Sequence, residues 1–212
     1  MPSLLLCGGS LEVSDPETIL REYVDPASDT AYPGYDRLVT NGTDQLVDAD
    51  LLAPGLLQAP VDRSRFRVLS GMMPALQRVG SLPKVALQDA DDDDVAAVAQ
   101  LFDVLDSDLY RRGGVRGTIV AKVLHRKRPD LVPLYDSRIF AAYTVAAVER
   151  AGERERSWVS VMDELCRSMR SDLQEQAEAF EQLSAVARDA GAELTWLRIL
   201  DIVVWRSAAD WQ

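Results

Sequence analysis

Metal-binding and redox side chains are nearly missing from this 212-residue chain, which has two cysteines, Cys7 and Cys166, and one histidine, His125. A structural zinc site or a four-cysteine iron–sulfur cluster needs more ligands than these, so neither is expected, nor is any other cofactor. Long apolar runs are missing too. Leu4-Leu5-Leu6-Cys7 lacks a basic region before it and is too short for a signal-peptide core, and nothing approaches the roughly 20 apolar residues of a membrane-spanning helix. A cytoplasmic protein with no membrane partner is expected, and the pattern assigns no oligomeric state. With no internal repeat and no break in composition, the chain reads as one domain over 1–212, with a peripheral arm, helix and loop at 1–45 and a helical core at 46–212.

Positive charge is scarce as well, with 23 Lys and Arg against 34 Asp and Glu and a net charge of −11. That balance alone argues against a nucleic-acid partner. The distribution argues otherwise. Residues 111–128 contain Arg111, Arg112, Arg116, Lys122, Arg126, Lys127 and Arg128 and no carboxylate, a local +7 that leaves −18 for the remainder. A basic stripe on an acidic body can hold one phosphate strand. The competing reading is a solvated face, with Arg126-Lys127-Arg128 favourable to a helix C-terminus without any ligand.

What the chain does have is helical patterning. Leu4 to Val13, broken at Gly8-Gly9, reads as a short strand or an extended arm. Asp15-Pro16-Glu17 starts a helix running to about Val24, with Asp15 as N-cap and Pro16 in the first helical position. Residues 25–45 form a long loop holding Tyr32 and Tyr35. Asp48 or Asp50 caps a short helix that Pro54-Gly55 bends or splits. Asp62 opens a helix carrying Phe66, Leu69, Met73 and Leu76, with Pro74 disturbing its end, and the Asp91–Asp94 quartet opens another through Val95, Val98 and Phe102. Ile139 to Val148 is an apolar helix ended by Gly152. Trp158 to Arg188 is one long or two broken amphipathic helices, and Leu194 to Trp205 is a strongly apolar closing helix packed centrally, in which Arg198 and Asp201 can pair on one face. The fold class is all-α.

One stretch suggests chemistry. Gly113-Gly114-Val115-Arg116-Gly117-Thr118 leads into an apolar helix with a basic end, then a loop bounded by Pro129 and Pro133, then Tyr135-Asp136-Ser137-Arg138, with Asp136 eighteen residues after Thr118. The amides of a glycine hairpin at a helix N-terminus make a ready phosphate site, and a carboxylate returned by the loop can share its cleft. Arg111, Arg116, Lys122 and Arg138 would add charge, and Tyr32, Tyr35 and Tyr135 could stack a base, although loop tyrosines more often anchor a loop on the core. Asp136 is also well placed as a plain helix N-cap. His125 has no second ligand or nucleophile near it in sequence and reads as structural or exposed.

The GGVRGTIVAKVL and VPLYDSRI segments resemble the helix-hairpin-helix superfamily of DNA glycosylases over residues 100–150. That resemblance implies a glycosylase-like helical domain, with Asp136 stabilising a cationic sugar or activating water after base flipping. It implies duplex DNA as partner, with residues 113–118 gripping a phosphate. Thr118 stands where bifunctional members carry their Schiff-base lysine, so the expected activity is monofunctional N-glycosidic hydrolysis. Arg116 stands where the family prefers glycine. A second resemblance, through YPGYDRLVTN…DLLAPGLL, KRPDLVPLYDSRI and LRILDIVVW, is to a bacterial family of unknown function. It implies that Tyr35, Asp36, Asp136, Arg198 and Trp205 belong to one recurring framework. Fold does not license function. A non-catalytic interaction or small-molecule-binding protein on the same fold stays open, as does hydrolysis of a nucleoside-like small molecule.

Overall fold

The computed structural model describes residues 3–28, 33–38, 42–107, 114–143 and 157–208. The described chain is mostly helical, with one short strand pair at its start. Strands β1 (Leu4–Leu6) and β2 (Leu11–Val13) pair antiparallel with Leu4 opposite Val13. Their connection turns through Cys7, Gly8 and Gly9 at φ of 57°, 63° and 91°, the left-handed region that glycine enters without strain. Leu4, Leu6, Leu11 and Val13 point inward and belong to the main core, so the segment expected to be peripheral is part of the core instead. The Asp172 carboxylate clamps the turn, accepting from the Cys7 amide at 2.8 Å and from the Tyr143 hydroxyl at 2.8 Å.

Short-range capping chemistry sets the helix starts. Helix α1 (Pro16–Val24) begins behind Asp15, whose carboxylate accepts from the Thr18 amide at 3.0 Å. The short α2 (Pro33–Asp36) and α3 (Asp48–Leu52) follow, and the chain then tightens into a 3-10 turn over Ala53–Leu57, where Pro54 rules out the regular helical bond. Helix α4 (Arg63–Leu76) is capped by Asp62 and contains Pro74, past which it narrows into a 3-10 turn over Gln77–Ser81. Helix α5 (Asp92–Gln100) starts with a reciprocal pair of bonds between Asp91 and Asp94 and continues as a 3-10 turn to Asp106.

Two helices are buried almost all round, as expected of central elements. Helix α6 (Gly117–His125) buries every residue from Ile119 to His125, and the closing helix buries every residue from Leu197 to Val204. Between them lie α7 (137–143, as far as it is described), α8 (Trp158–Glu175) and α9 (Ala177–Asp189), and the closing helix is α10 (Trp196–Ser207). The stretch from Trp158 is thus two helices, broken at Gln176. Helix α8 packs along α5, and α10 packs against α1, α8 and α9. Gly117 allows the tightest approach. A Cβ there would lie 2.2 Å from Cζ3 and 2.4 Å from Cη2 of Trp158, so only hydrogen fits between the start of α6 and that ring.

Among the described residues no helix is long and apolar enough to cross a membrane.

Candidate functional site

Among its described residues the basic stripe does not form an outer face. Of its described cations only Arg116 is exposed. Lys122, at 7 % exposure, donates from Nζ to the Leu57 carbonyl at 2.9 Å, while its own carbonyl accepts from the Tyr35 hydroxyl at 2.6 Å. Arg126 donates to the carbonyls of Tyr35, at 2.8 Å, and Leu38. Lys127 pairs with buried Asp50 at 2.9 Å, and Arg128 with Asp44 at 2.8 Å. Asp50 and Asp44 thus neutralise Lys127 and Arg128, while backbone carbonyls receive Lys122 and Arg126. Reading cations along the sequence as a surface track fails because their counter-charges come from a segment about 80 residues earlier, roughly half a chain of distance that local patterning does not see.

Arg198 organises the interior beside α6. Thr195 caps α10 and sets the helix phase, its hydroxyl accepting from the Arg198 amide at 3.0 Å. The Arg198 guanidinium then donates to Asp36 at 2.8 Å, to Asp201 one turn on, and to the Tyr23 hydroxyl. Tyr23 in turn donates to Asp36 at 2.7 Å. Burial alone would raise the Asp36 carboxyl, but the Arg198 charge together with the hydrogen bonds from Arg198 and Tyr23 outweighs it and holds the group below the usual carboxylate range. Asp201 is different. Burial pushes it up to about 6 in spite of Arg198, with the Asp136 charge adding to the rise. His125, stacked on Tyr35 and with Nδ1 2.7 Å from the Val132 carbonyl, is pushed down to about 4 by burial and is a neutral core side chain.

Above this network opens a cleft of about 280 Å³ between α6, α7, α10 and the turn before α4. Asp136, Tyr135, Thr118 and Lys122 line it, together with Tyr23, Asp201 and Trp205. Asp136 sits at the start of α7, where Oδ1 accepts from the amides of Arg138 at 2.9 Å and Ile139 at 3.0 Å. It is therefore an N-cap and a cleft-lining carboxylate at once. Burial lowers the Lys122 pKa, and the charges of Asp136 and Asp201 pull it back up, which places all three within electrostatic reach of one another.

The other expected site residues lie elsewhere. Val115 and Gly117 are buried, Gly114 is exposed at a φ of 70°, and Arg138 stacks over the Trp205 ring at 4.5 Å from its centre. Tyr35 is no base-stacking group, being only 1 % exposed and braced under Lys122. Tyr32, Arg111, Arg112 and Gly113 lie outside the described residues. Local sequence reasoning missed Tyr23, Leu57 and Gln58 as cleft residues. The signal it did offer for Asp201 was a charge pair three residues apart inside an otherwise apolar helix. Among the described residues no group of three His, Cys, Asp or Glu side chains is arranged to hold a metal ion.

Tyr35, Asp36, Asp136, Arg198 and Trp205, scattered over more than 160 positions, thus gather around one cleft and its floor. A family model matches residues 16–208, from the first helix to the end of the last. The chain belongs to the family of unknown function DUF6308. The family match brings no link to the helix-hairpin-helix glycosylases, and no curated protein and no solved structure matches the chain. On the described residues this chain places a carboxylate, Asp136, at a helix start facing a cleft.

Proposed function

We propose that the cleft binds a small sugar-bearing molecule, a nucleoside or related N-glycoside, and that Asp136 carries hydrolysis of its glycosidic bond. The observation that carries this reading is the lining. One cleft of about 280 Å³ combines Asp136 with Lys122, Asp201 and the rings of Tyr23, Tyr135 and Trp205, at the lower end of the size range of small-molecule sites. A ring face can take a planar base, and hydroxyl and carboxyl groups suit a sugar. The fixed charges also fit. Arg198 is paired with two carboxylates, Asp36 and Asp201, while Asp136, in no ion pair among the described residues, lines the cleft, where its charge would favour a developing sugar cation. As the base departs with the bonding electron pair and takes up a proton, positive charge grows on the sugar carbon. Asp136 then lowers its energy, or accepts a proton from the attacking water.

Lys122, Arg126, Lys127 and Arg128 are held by carbonyls and carboxylates within the protein, which favours a small substrate over duplex DNA, because gripping a duplex needs several cations free to meet phosphates. A second reading has its own observation. The two amide bonds to Asp136 account for that residue as a cap, which would leave a binding cleft without catalysis. Incubation with purine and pyrimidine nucleosides, and separately with lesion-bearing duplexes, followed by chromatography of free base, tests these readings. Base release from a nucleoside that falls about 10²–10⁴-fold in Asp136→Asn is expected. Release from duplexes alone would reinstate the DNA reading, and no release from any substrate, with nucleoside binding retained, would leave the non-catalytic one.

A further inference from the structure

We propose that Lys122 is a carbonyl-trapping lysine, whose ε-amine condenses reversibly with the aldehyde carbon of an open-chain aldose held in the cleft. The chain has 20 arginines and only three lysines, so it meets almost every structural need for a cation with a group that cannot give up its proton. Two of the three lysines face carboxylates. Lys84 pairs with Asp44 at 3.2 Å, and Lys127 with Asp50 at 2.9 Å. Lys122 instead rests on a neutral acceptor, the Leu57 carbonyl at 2.9 Å, within the lining of the cleft. Its helix is fixed on both sides, by the Tyr35 hydroxyl on its carbonyl and by Trp158 pressed against Gly117. An amine 93 % withdrawn from water and, among the described residues, in no ion pair with a carboxylate is in the environment in which lysine becomes a nucleophile; burial shifts it toward the neutral form against the pull of the Asp136 and Asp201 charges. Thr118, Ser137 and Gln58 add the polar lining that a polyhydroxy chain needs.

The step balances without a redox partner. Lys122 first gives a proton to Asp136 or to water. Its lone pair adds to the carbonyl carbon, the π pair moves onto oxygen, and a proton passes from the now cationic nitrogen to that oxygen through water to give a neutral carbinolamine. The nitrogen lone pair then expels the hydroxyl group, which leaves as water after protonation by a carboxylic acid, Asp201 being the one of raised pKa, and the iminium nitrogen returns its proton to that carboxylate. One amine and one aldehyde give one imine and one water, and hydrolysis reverses it. This chemistry goes beyond hydrolysis by Asp136 and does not need it, although the sugar released there is one source of the aldehyde.

The test is reductive trapping. The full chain is incubated with D-ribose or 2-deoxy-D-ribose and cyanoborohydride, and the modified residues are mapped by mass spectrometry. A single reduced-pentose adduct at Lys122, formed about tenfold faster than at Lys84, is expected. Loss of that preference in urea and in a folded Lys122→Arg variant should accompany it. Adducts at Lys84 and the N-terminal amine with Lys122 unmodified would overturn the proposal, and the wild-type map gives that answer even if the variant fails to fold. An adduct at Lys122 without nucleoside hydrolysis removes only the hydrolytic reading, and hydrolysis without an adduct removes only this one.

Discussion

Replacing Asp136 by Asn and, separately, by Ala separates capping from chemistry. Oδ1 accepts two backbone bonds, from Arg138 at 2.9 Å and Ile139 at 3.0 Å. Asparagine caps about as well as aspartate, so Asp136→Asn should hold stability to within about 0.5 kcal/mol. Alanine leaves both amides without that acceptor, and Asp136→Ala should lose about 1–2 kcal/mol. For a chain of this size that is a fall in Tm of roughly 2–8 °C. Both variants remove the carboxylate charge, so both should lose about 10²–10⁴-fold in base release. Urea titration with unchanged m-values measures the first effect, and chromatography of the free base measures the second. An Asn variant with full activity would show that Asp136 is only a cap, and an Ala variant as stable as wild type would show that the cap contributes nothing. Equal losses of activity alongside unequal losses of stability are the pattern that the dual placement demands.

Gly117→Ala, which at an ordinary helical position would stabilise by about 1 kcal/mol, should here cost about 1–3 kcal/mol, because the new methyl meets the Trp158 ring at 2.2 Å; a rise in the urea midpoint would contradict the packing described. Arg198→Met leaves Asp36 and Asp201 buried without their cation and should cost about 3–5 kcal/mol or prevent folding, so a loss below about 1 kcal/mol would contradict the network. His125 is held neutral, with its pKa brought from 6.5 down to about 4. Its contribution is therefore fully present above pH 6.5 and lost as pH falls toward 4. The stability of wild type relative to His125→Phe should drop by about 1.4 kcal/mol per pH unit across that window, and a difference that does not change with pH would refute the assignment.

The helix starts were legible because capping is a local matter. Asp15, Asp62 and Asp91 each sit within three residues of the amide they satisfy. The Arg198–Asp201 pair was legible for the same reason, since three residues place both on one face. The pairing of β1 with β2 was only half visible, since Leu4–Leu6 is a uniform run in which Leu5 alone faces outward. The inward turn of Arg126, Lys127 and Arg128 was hidden because the groups that answer it, the carbonyls of Tyr35 and Leu38 and the carboxylates of Asp44 and Asp50, lie roughly 80–90 residues earlier, beyond the reach of local periodicity. Tyr35 was readable as a loop anchor but not as the support of Lys122, since that bond joins residues 87 apart. Asp136, Thr118, Lys122 and Tyr135 meet in the cleft because α6 and the loop after it keep them within one local unit. Tyr23 and Gln58 arrive from elsewhere, and no neighbour in sequence points to them.

Calorimetric titration with a cationic iminoribitol, the stable mimic of a sugar carrying positive charge at the glycosidic carbon, tests the central claim most directly. Binding to wild type with a stoichiometry of one is expected, weakened about tenfold or more in the stably folded Asp136→Asn variant as one facing charge is removed. Undetectable binding, or equal affinity in the two proteins, would contradict it.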